Sequence, residues 1–280
     1  MIDRVMSAAR AADLKRRYPF AFRRPLREQV LRLAGWTAFS VLTLYCLWRF
    51  DFSPVKLWSG LGELGGIVTQ LFPPMPGEHP REIFWALLET IAMAFIGTTL
   101  AAILAFPLAF LAAKNTFPFG LARFGVRRFM DMLRGIDQLI WALIFVRAVG
   151  LGPLAGIMAI AISDTGTLAK LFSESLENIE KKPAEGLKAA GANNVQTLRF
   201  AMLPQVIPMF LSSALYMFES NVRSATILGI VGAGGIGFQL SDRIRAHHWE
   251  EACFILILIL ITVAIIDWIS KNLRMWLIGR

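Results

Sequence analysis

The sequence predicts an all-α polytopic membrane protein with about six transmembrane helices, and three observations carry that expectation. Of its 280 residues, 56% are hydrophobic, and the mean hydropathy is +0.55, a composition that belongs to membrane proteins rather than soluble domains. Residues 91–113 run for 23 positions without a charge. At about 1.5 Å of rise per residue, such a run crosses the roughly 30 Å of bilayer hydrocarbon. The spans must be helical, because lipid offers no partner to an open backbone group. Third, the net charge of +9 is concentrated at the two ends of the chain and in one connection.

The elements follow in order. Residues 1–30 form a basic N-terminal segment with eight Lys/Arg against three acids. Its charge, Pro19 and Pro25 argue against a cleavable signal peptide, and Ala8–Arg17 reads as a basic helix along the membrane surface. Residues 31–82 hold a first span, 31–49, and an outside segment. In that segment Leu57, Trp58, Leu61, Leu64, Ile67, Val68 and Leu71 recur at helical spacing, which predicts an interfacial helix over 55–72. Further spans are expected at 85–113, 123–149, 153–172, 205–231 and 252–273, with a polar loop at 180–204 and a short tail at 276–280. The third of these spans is unusual in carrying Asp131, Arg134, Asp137 and Arg147 within or near it.

Topology follows from the charges. Residues 271–280 carry three Lys/Arg and no acid, and the connection after the second span adds Lys114, Arg123, Arg127 and Arg128. The segments 49–82 and 232–251 carry three bases against four acids and two against three. The positive-inside rule then sets both termini in the cytoplasm. The basic excess is read as topology and attraction to anionic lipid, not as a nucleic-acid surface. Cys46 and Cys253 both fall inside apolar spans, so no disulfide framework or metal spacing is expected.

Ionisable residues within spans are costly and mark functional candidates. Glu219 and Arg223 lie i and i+4 on the fifth span and can pair along one face, while Asn221 projects from another side. Glu89, Asp164 and Lys170 are candidate interior partners. Two roles are open to this set: mutual neutralisation that locks helix packing, or a polar path for an anion, for which a guanidinium's planar fork suits a phosphonyl group. The run Gly232-Ala-Gly234-Gly235-Ile-Gly237 contains the letters of a dinucleotide fingerprint. It lacks the strand, helix and acidic residue that motif requires, so it reads as a turn at the outer end of the fifth span, either a packing corner or a gate. No Gly-x4-Gly-Lys-Ser/Thr phosphate loop occurs, so no ATP site is expected in this chain. His79, His247 and His248 read as solvated loop residues.

The polar loop is the most specific signal. In Glu185-Gly-Leu-Lys-Ala-Ala-Gly191, followed by Met202-Leu203-Pro204, Pro183 suits a first helical turn and Glu185 sits near the positive end of the helix dipole. Gly191 suits a left-handed C-cap, Asn193 or Asn194 a new N-cap, and Pro204 a break before the next span. Glu185, Gly191, Leu203 and Pro204 stand at the spacings of the loop by which permeases of ABC importers grip their ATPases, with Gly186, Leu187 and Ala201 as departures. The run Phe218-Glu219-Ser-Asn221-Val-Arg223-Ser-Ala-Thr226, continuing through Gly229–Gly237, resembles the phosphonate branch of those permeases. So do Val149–Gly156 and Lys170–Glu177.

This resemblance covers about residues 83–275 and implies a type I ABC importer permease fold in the bacterial inner membrane. It implies a second copy of the chain, two ATPase subunits that bind ATP and Mg in place of any cofactor here, and an extracytoplasmic phosphonate-binding protein. The cargo it implies is a phosphonate, phosphite or hypophosphite. A membrane-embedded enzyme or an ion-coupled secondary transporter for a small anion are the alternatives in other classes.

Overall fold

A computed structural model describes Arg17 and residues 26–279; the basic helix expected over Ala8–Arg17 lies, Arg17 aside, outside the described residues. The chain falls into two units, one up to Gly66 and one from Ile67 onward. The first holds helix α1 (Leu26–Arg49) and most of α2 (Pro54–Gln70). On α1 the large apolar side chains, Leu33, Trp36 and Trp48 among them, are exposed, as a lipid-facing span requires. Asp51 in the connecting turn pairs with Lys56.

The second unit is a helical bundle. In chain order it comprises α3 (Pro80–Ala112), α4 (Gly120–Gly135), α5 (Gln138–Val149), α6 (Pro153–Glu177), α7 (Lys181–Ala189), α8 (Asn194–Thr197), α9 (Leu203–Leu228), α10 (Gly235–Arg245) and α11 (Trp249–Ile278). Among the described residues, five stretches are long and apolar enough to cross a membrane: Val30–Arg49, Pro80–Ala112, Pro153–Glu177, Asn194–Ala233 and Trp249–Leu277.

At the centre, α3 packs on α6 through small residues. Ala94, Ala101, Ala105 and Ala109 are fully buried on α3, as are Ala155, Ala159 and Ala169 on α6. A Cβ at Gly97 would sit 2.8 Å from the Ile160 Cβ. Small side chains let backbones approach where lipid supplies no hydrophobic drive for association. Aromatic rings fill the space toward α9, with Phe172 stacked on Phe210 at 4.1 Å between centroids.

The third span departs from expectation. Instead of one helix over 123–149, the chain forms α4 and α5, about 24 Å and 18 Å long at the usual rise, separated by Ile136 and Asp137. Ile136 is extended (φ −100°, ψ 125°), and the Asp137 side chain accepts the Leu139 N–H at 2.8 Å. Asp137 is thus an N-cap, and a capped helix start after Gly135 is what divides the span.

Candidate functional site

The polar hairpin is assembled from local signals. Helix α7 starts at Lys181 behind an extended Glu180 and carries Pro183 in its first turn. It ends at Ala189, with Ala190 as the C-cap and Gly191 at φ +87°. The Gly191 N–H donates to the Lys188 carbonyl and the Ala192 N–H to the Leu187 carbonyl, each at 3.0 Å, the paired bonds of a Schellman cap. Asn193, rather than Asn194, then caps α8. Its side chain accepts the Gln196 N–H at 2.8 Å while Gln196 Oε1 accepts the Asn193 N–H at 2.9 Å, a reciprocal capping box.

Two expectations for this loop are corrected. Glu185 stands in the second turn of α7, because the helix reaches back to Lys181, and the dipole's influence fades beyond the first turn. Pro204 does not break the chain. A π-helical turn over Leu198–Met202 leads straight into α9, and the Leu203 N–H reaches back five residues to the Leu198 carbonyl. Pro204, with no N–H to place, follows where the ladder changes register. No residue of α7 is buried. Glu185 and Gly191 are exposed, and Glu185 lines an open cavity of about 230 Å³ with Lys181, Lys188 and Asn115. Leu203 packs on the bundle core and Pro204 is exposed.

The three candidates on α9 do not form one site. Asn221 is buried at 1% exposure. Its amide donates to Thr98 Oγ1 on α3 at 2.8 Å and to Asp164 Oδ2 on α6 at 2.5 Å. Gln138, at the start of α5, donates to Asp164 Oδ1 at 2.9 Å and to Asn221 Oδ1 at 3.0 Å. Four helices therefore meet at one closed polar network, and every member gives or receives a bond inside it. Thr98 and Gln138 are the members that sequence reasoning missed. Neither is charged, and only the fold shows that they share a level with Asn221.

Glu219 and Arg223 point instead at α11. Arg274 donates to Glu219 Oε2 at 2.7 Å, Arg223 lies 3.6 Å from Glu219 Oε1, and Arg223 donates to both oxygens of Asp267 at 3.1 and 3.3 Å. Two acids face two bases. The candidate partners proposed from sequence are occupied elsewhere or stand apart: Asp164 in the Asn221 network, Lys170 beside Glu174 at 3.8 Å, and Glu89 beside the glycine corner. Asp267 and Arg274 are spaced i and i+7 on α11, which puts both on one face, and that spacing was the available signal.

The glycine run is a packed corner. Gly232 closes a second π-helical turn at φ +100°, and Gly234 and Gly235, at φ +80° and +68°, reverse the chain into α10. A Cβ at Gly235 would overlap Thr90 Oγ1, and one at Gly237 would overlap the Thr226 carbonyl. The Ile236 N–H donates to Thr90 Oγ1 at 2.8 Å, and the Gly152 N–H to the Gly232 carbonyl at 3.0 Å. The corner is thus clasped by α3 and by the entry to α6.

A broken span, an exposed polar hairpin and a polar network between helices thus accompany five stretches long and apolar enough to cross a membrane among the described residues. Residues 105–277 match the family described as the binding-protein-dependent transport system inner membrane component. The chain belongs to that family. This permease is 37% identical over 259 residues to the phosphite transport system permease protein PtxC of Stutzerimonas stutzeri, covering 89% of this chain and 94% of the relative. It is 35% identical over 232 residues to the phosphate-import permease protein PhnE of Mycolicibacterium smegmatis (strain ATCC 700084 / mc(2)155), covering 83% of this chain and 43% of that longer relative. A chain of the MetNI methionine ABC transporter in an inward facing conformation shares the fold, with a TM-score of 0.61 at 20% identity, covering 72% of this permease and 99% of that chain. The permease is therefore a multi-pass inner-membrane subunit of an ABC importer, a transport component rather than an enzyme, which works with separate ATPase subunits and a substrate-binding protein.

Proposed function

We propose that this permease carries phosphorus oxyanions, namely phosphonates or the smaller phosphite and hypophosphite, into the cell by alternating access. The observation that carries the reading is 37% identity, spread over nearly the whole chain, to a permease named for phosphite transport. The relative named for phosphate import fits the same tetrahedral anion class. Two copies of the chain would form the pathway, both termini would lie in the cytoplasm, and a binding protein would deliver the anion at the outer mouth.

The hairpin around 181–203 supplies the ATPase contact in this reading, with Glu185 and Gly191 on its open face and Leu203 and Pro204 at its root. Its mechanical link to the pathway is continuous. The helical run Asn194–Ala233 covers 40 residues, about 60 Å at helical rise, so a push on the hairpin travels along α9 to the glycine corner. On the way it passes Asn221, where α9 is tied to α3, α5 and α6. The Glu219–Arg223 pair, facing Asp267 and Arg274, braces α9 on α11 so that the two helices move together. The packed glycine corner is the outer pivot of that movement.

The test is affinity purification of the chain in mild detergent from its native host, followed by uptake of labelled methylphosphonate and phosphite after reconstitution. A stoichiometric ATPase subunit and ATP-dependent uptake of either anion are expected. A reconstituted complex that hydrolyses ATP with its binding protein yet moves neither anion would refute the substrate class.

A further inference from the structure

One charged cluster is not balanced. On α4, Asp131 is shared by two arginines: Arg128 Nη2 lies 3.2 Å from Oδ2, and Arg134 Nη2 and Nε lie 3.0 and 3.2 Å from Oδ1. Two guanidinium groups on one carboxylate leave an excess positive charge. The neighbouring pairs Lys170–Glu174 and Arg127–Glu177 are each neutral, while Asp137 accepts the Leu139 N–H and Asp164 accepts from Gln138 and Asn221, so neither carboxylate pairs with these arginines.

The depth of this cluster makes the excess costly. A Cβ at Gly166 would stand 2.6 Å from the Met130 carbonyl and 3.0 Å from the Arg134 nitrogen, so α4 and α6 touch backbone to backbone there. Gly166 lies at the middle of the 25-residue span α6, so the Arg134 backbone stands level with the middle of that span. The side chains of Arg128 and Arg134 are nonetheless 63% and 38% exposed in the single chain. A half-exposed guanidinium at that depth does not face lipid. In the transport reading it faces the pathway between two copies of the chain. The same side of α4 and α6 continues toward the cytoplasmic end through a cavity of about 130 Å³ lined by Arg127, Arg128, Asp131, Lys170, Ser173 and Glu174, a volume of about four waters.

Resting on the transport reading above, we propose that Arg134 and Arg128, held by Asp131, are the phosphorus-oxyanion site of the inner half of the translocation pathway. Asp131 orients both forks while leaving donors unspent, and planar donors meet a tetrahedral oxyanion through paired hydrogen bonds. The anion completes the charge that the cluster lacks. Arg223, the sequence candidate for this role, faces a fully balanced set and has no such deficit.

The test uses the intact complex with its ATPase and binding protein in liposomes. Arg134→Gln is expected to lower methylphosphonate and phosphite uptake about tenfold or more, the worth of a charge-assisted bond. Subunit stoichiometry should stay intact, and Arg134→Lys should recover part of the loss. In a second arm, Arg134→Cys in a Cys46→Ser, Cys253→Ala background should react with a sulfonated methanethiosulfonate reagent and be protected by saturating methylphosphonate or phosphite. That reaction reads water access whatever the cargo proves to be, so failure of the substrate class and failure of the site give different results. Unchanged uptake in Arg134→Gln, an unreactive thiol, or loss of assembly in both the Gln and Lys variants would each overturn the proposal, the last by assigning the cluster to packing between copies.

Discussion

The two glycine-bearing turns of this permease both need positive φ, but only one of them is crowded. At the corner over Gly229–Gly237, an added methyl meets Thr90, Leu151 or the Thr226 carbonyl, so glycine is required there by the closeness of neighbours as well as by backbone conformation. At the hairpin, nothing lies within 4 Å of a Cβ at Gly186 or Gly191, and Gly191 is required only by its φ of +87°. A turn crowded by its own chain is part of the packing. A turn shaped by caps and surrounded by open space is free to meet another molecule, as the coupling proposal requires. The corner stores its information in contacts within the chain, and the hairpin offers its own outward.

That contrast can be broken at several points. Gly237→Ala is expected to have the largest effect, about 3 kcal/mol or more, since a methyl must displace backbone rather than a flexible side chain; the readout is loss of monodisperse protein in detergent. Asn221→Leu follows at about 1–3 kcal/mol, because Asp164, Gln138 and Thr98 lose a buried partner. Its signature is a lower melting temperature of the purified complex, and an unchanged value would show that the network is dispensable. Gly191→Val should cost roughly 1–2 kcal/mol of local strain, leave the bundle folded, and abolish coupling of ATP hydrolysis to uptake. Wild-type transport in that variant would remove the hairpin from the coupling role. Gly186→Ala is the mildest: in an open helix it should add about 1 kcal/mol of helix stability and leave uptake unchanged, whereas a collapse there would show the hairpin to be packed after all.

The clusters around Glu219 and Asp131 are both intramembrane and both built from arginine and carboxylate, yet one balances two acids against two bases and the other sets one acid against two bases. The balanced set ties α9 to α11. The set with excess positive charge is the one proposed to take an oxyanion.

Much of this was legible in the residues. The apolar runs that became α3, α6, α9 and α11 could be read directly, because a bilayer imposes length and polarity on any helix that crosses it. The hairpin was legible because caps are local: Pro183, Gly191 and Asn193 act on neighbours within a turn or two. The i, i+4 pairing of Glu219 and Arg223 was likewise a local matter. Reading the third span as one helix failed at Asp137, whose charge was weighed by hydropathy while its geometry as an N-cap decided the outcome.

The class of protein, most of its spans and the hairpin that marks its family follow from the residues alone, because these depend on composition and on short-range chain geometry. Which polar groups meet depends on how the helices pack. Asn221 is two residues from Glu219 and Arg223 along the chain, but it faces Thr98, Gln138 and Asp164 on three other helices, while its neighbours face α11. Adjacent positions on a helix point in different directions. Which helix waits in each direction is set by how the small residues of α3 and α6 let the bundle close.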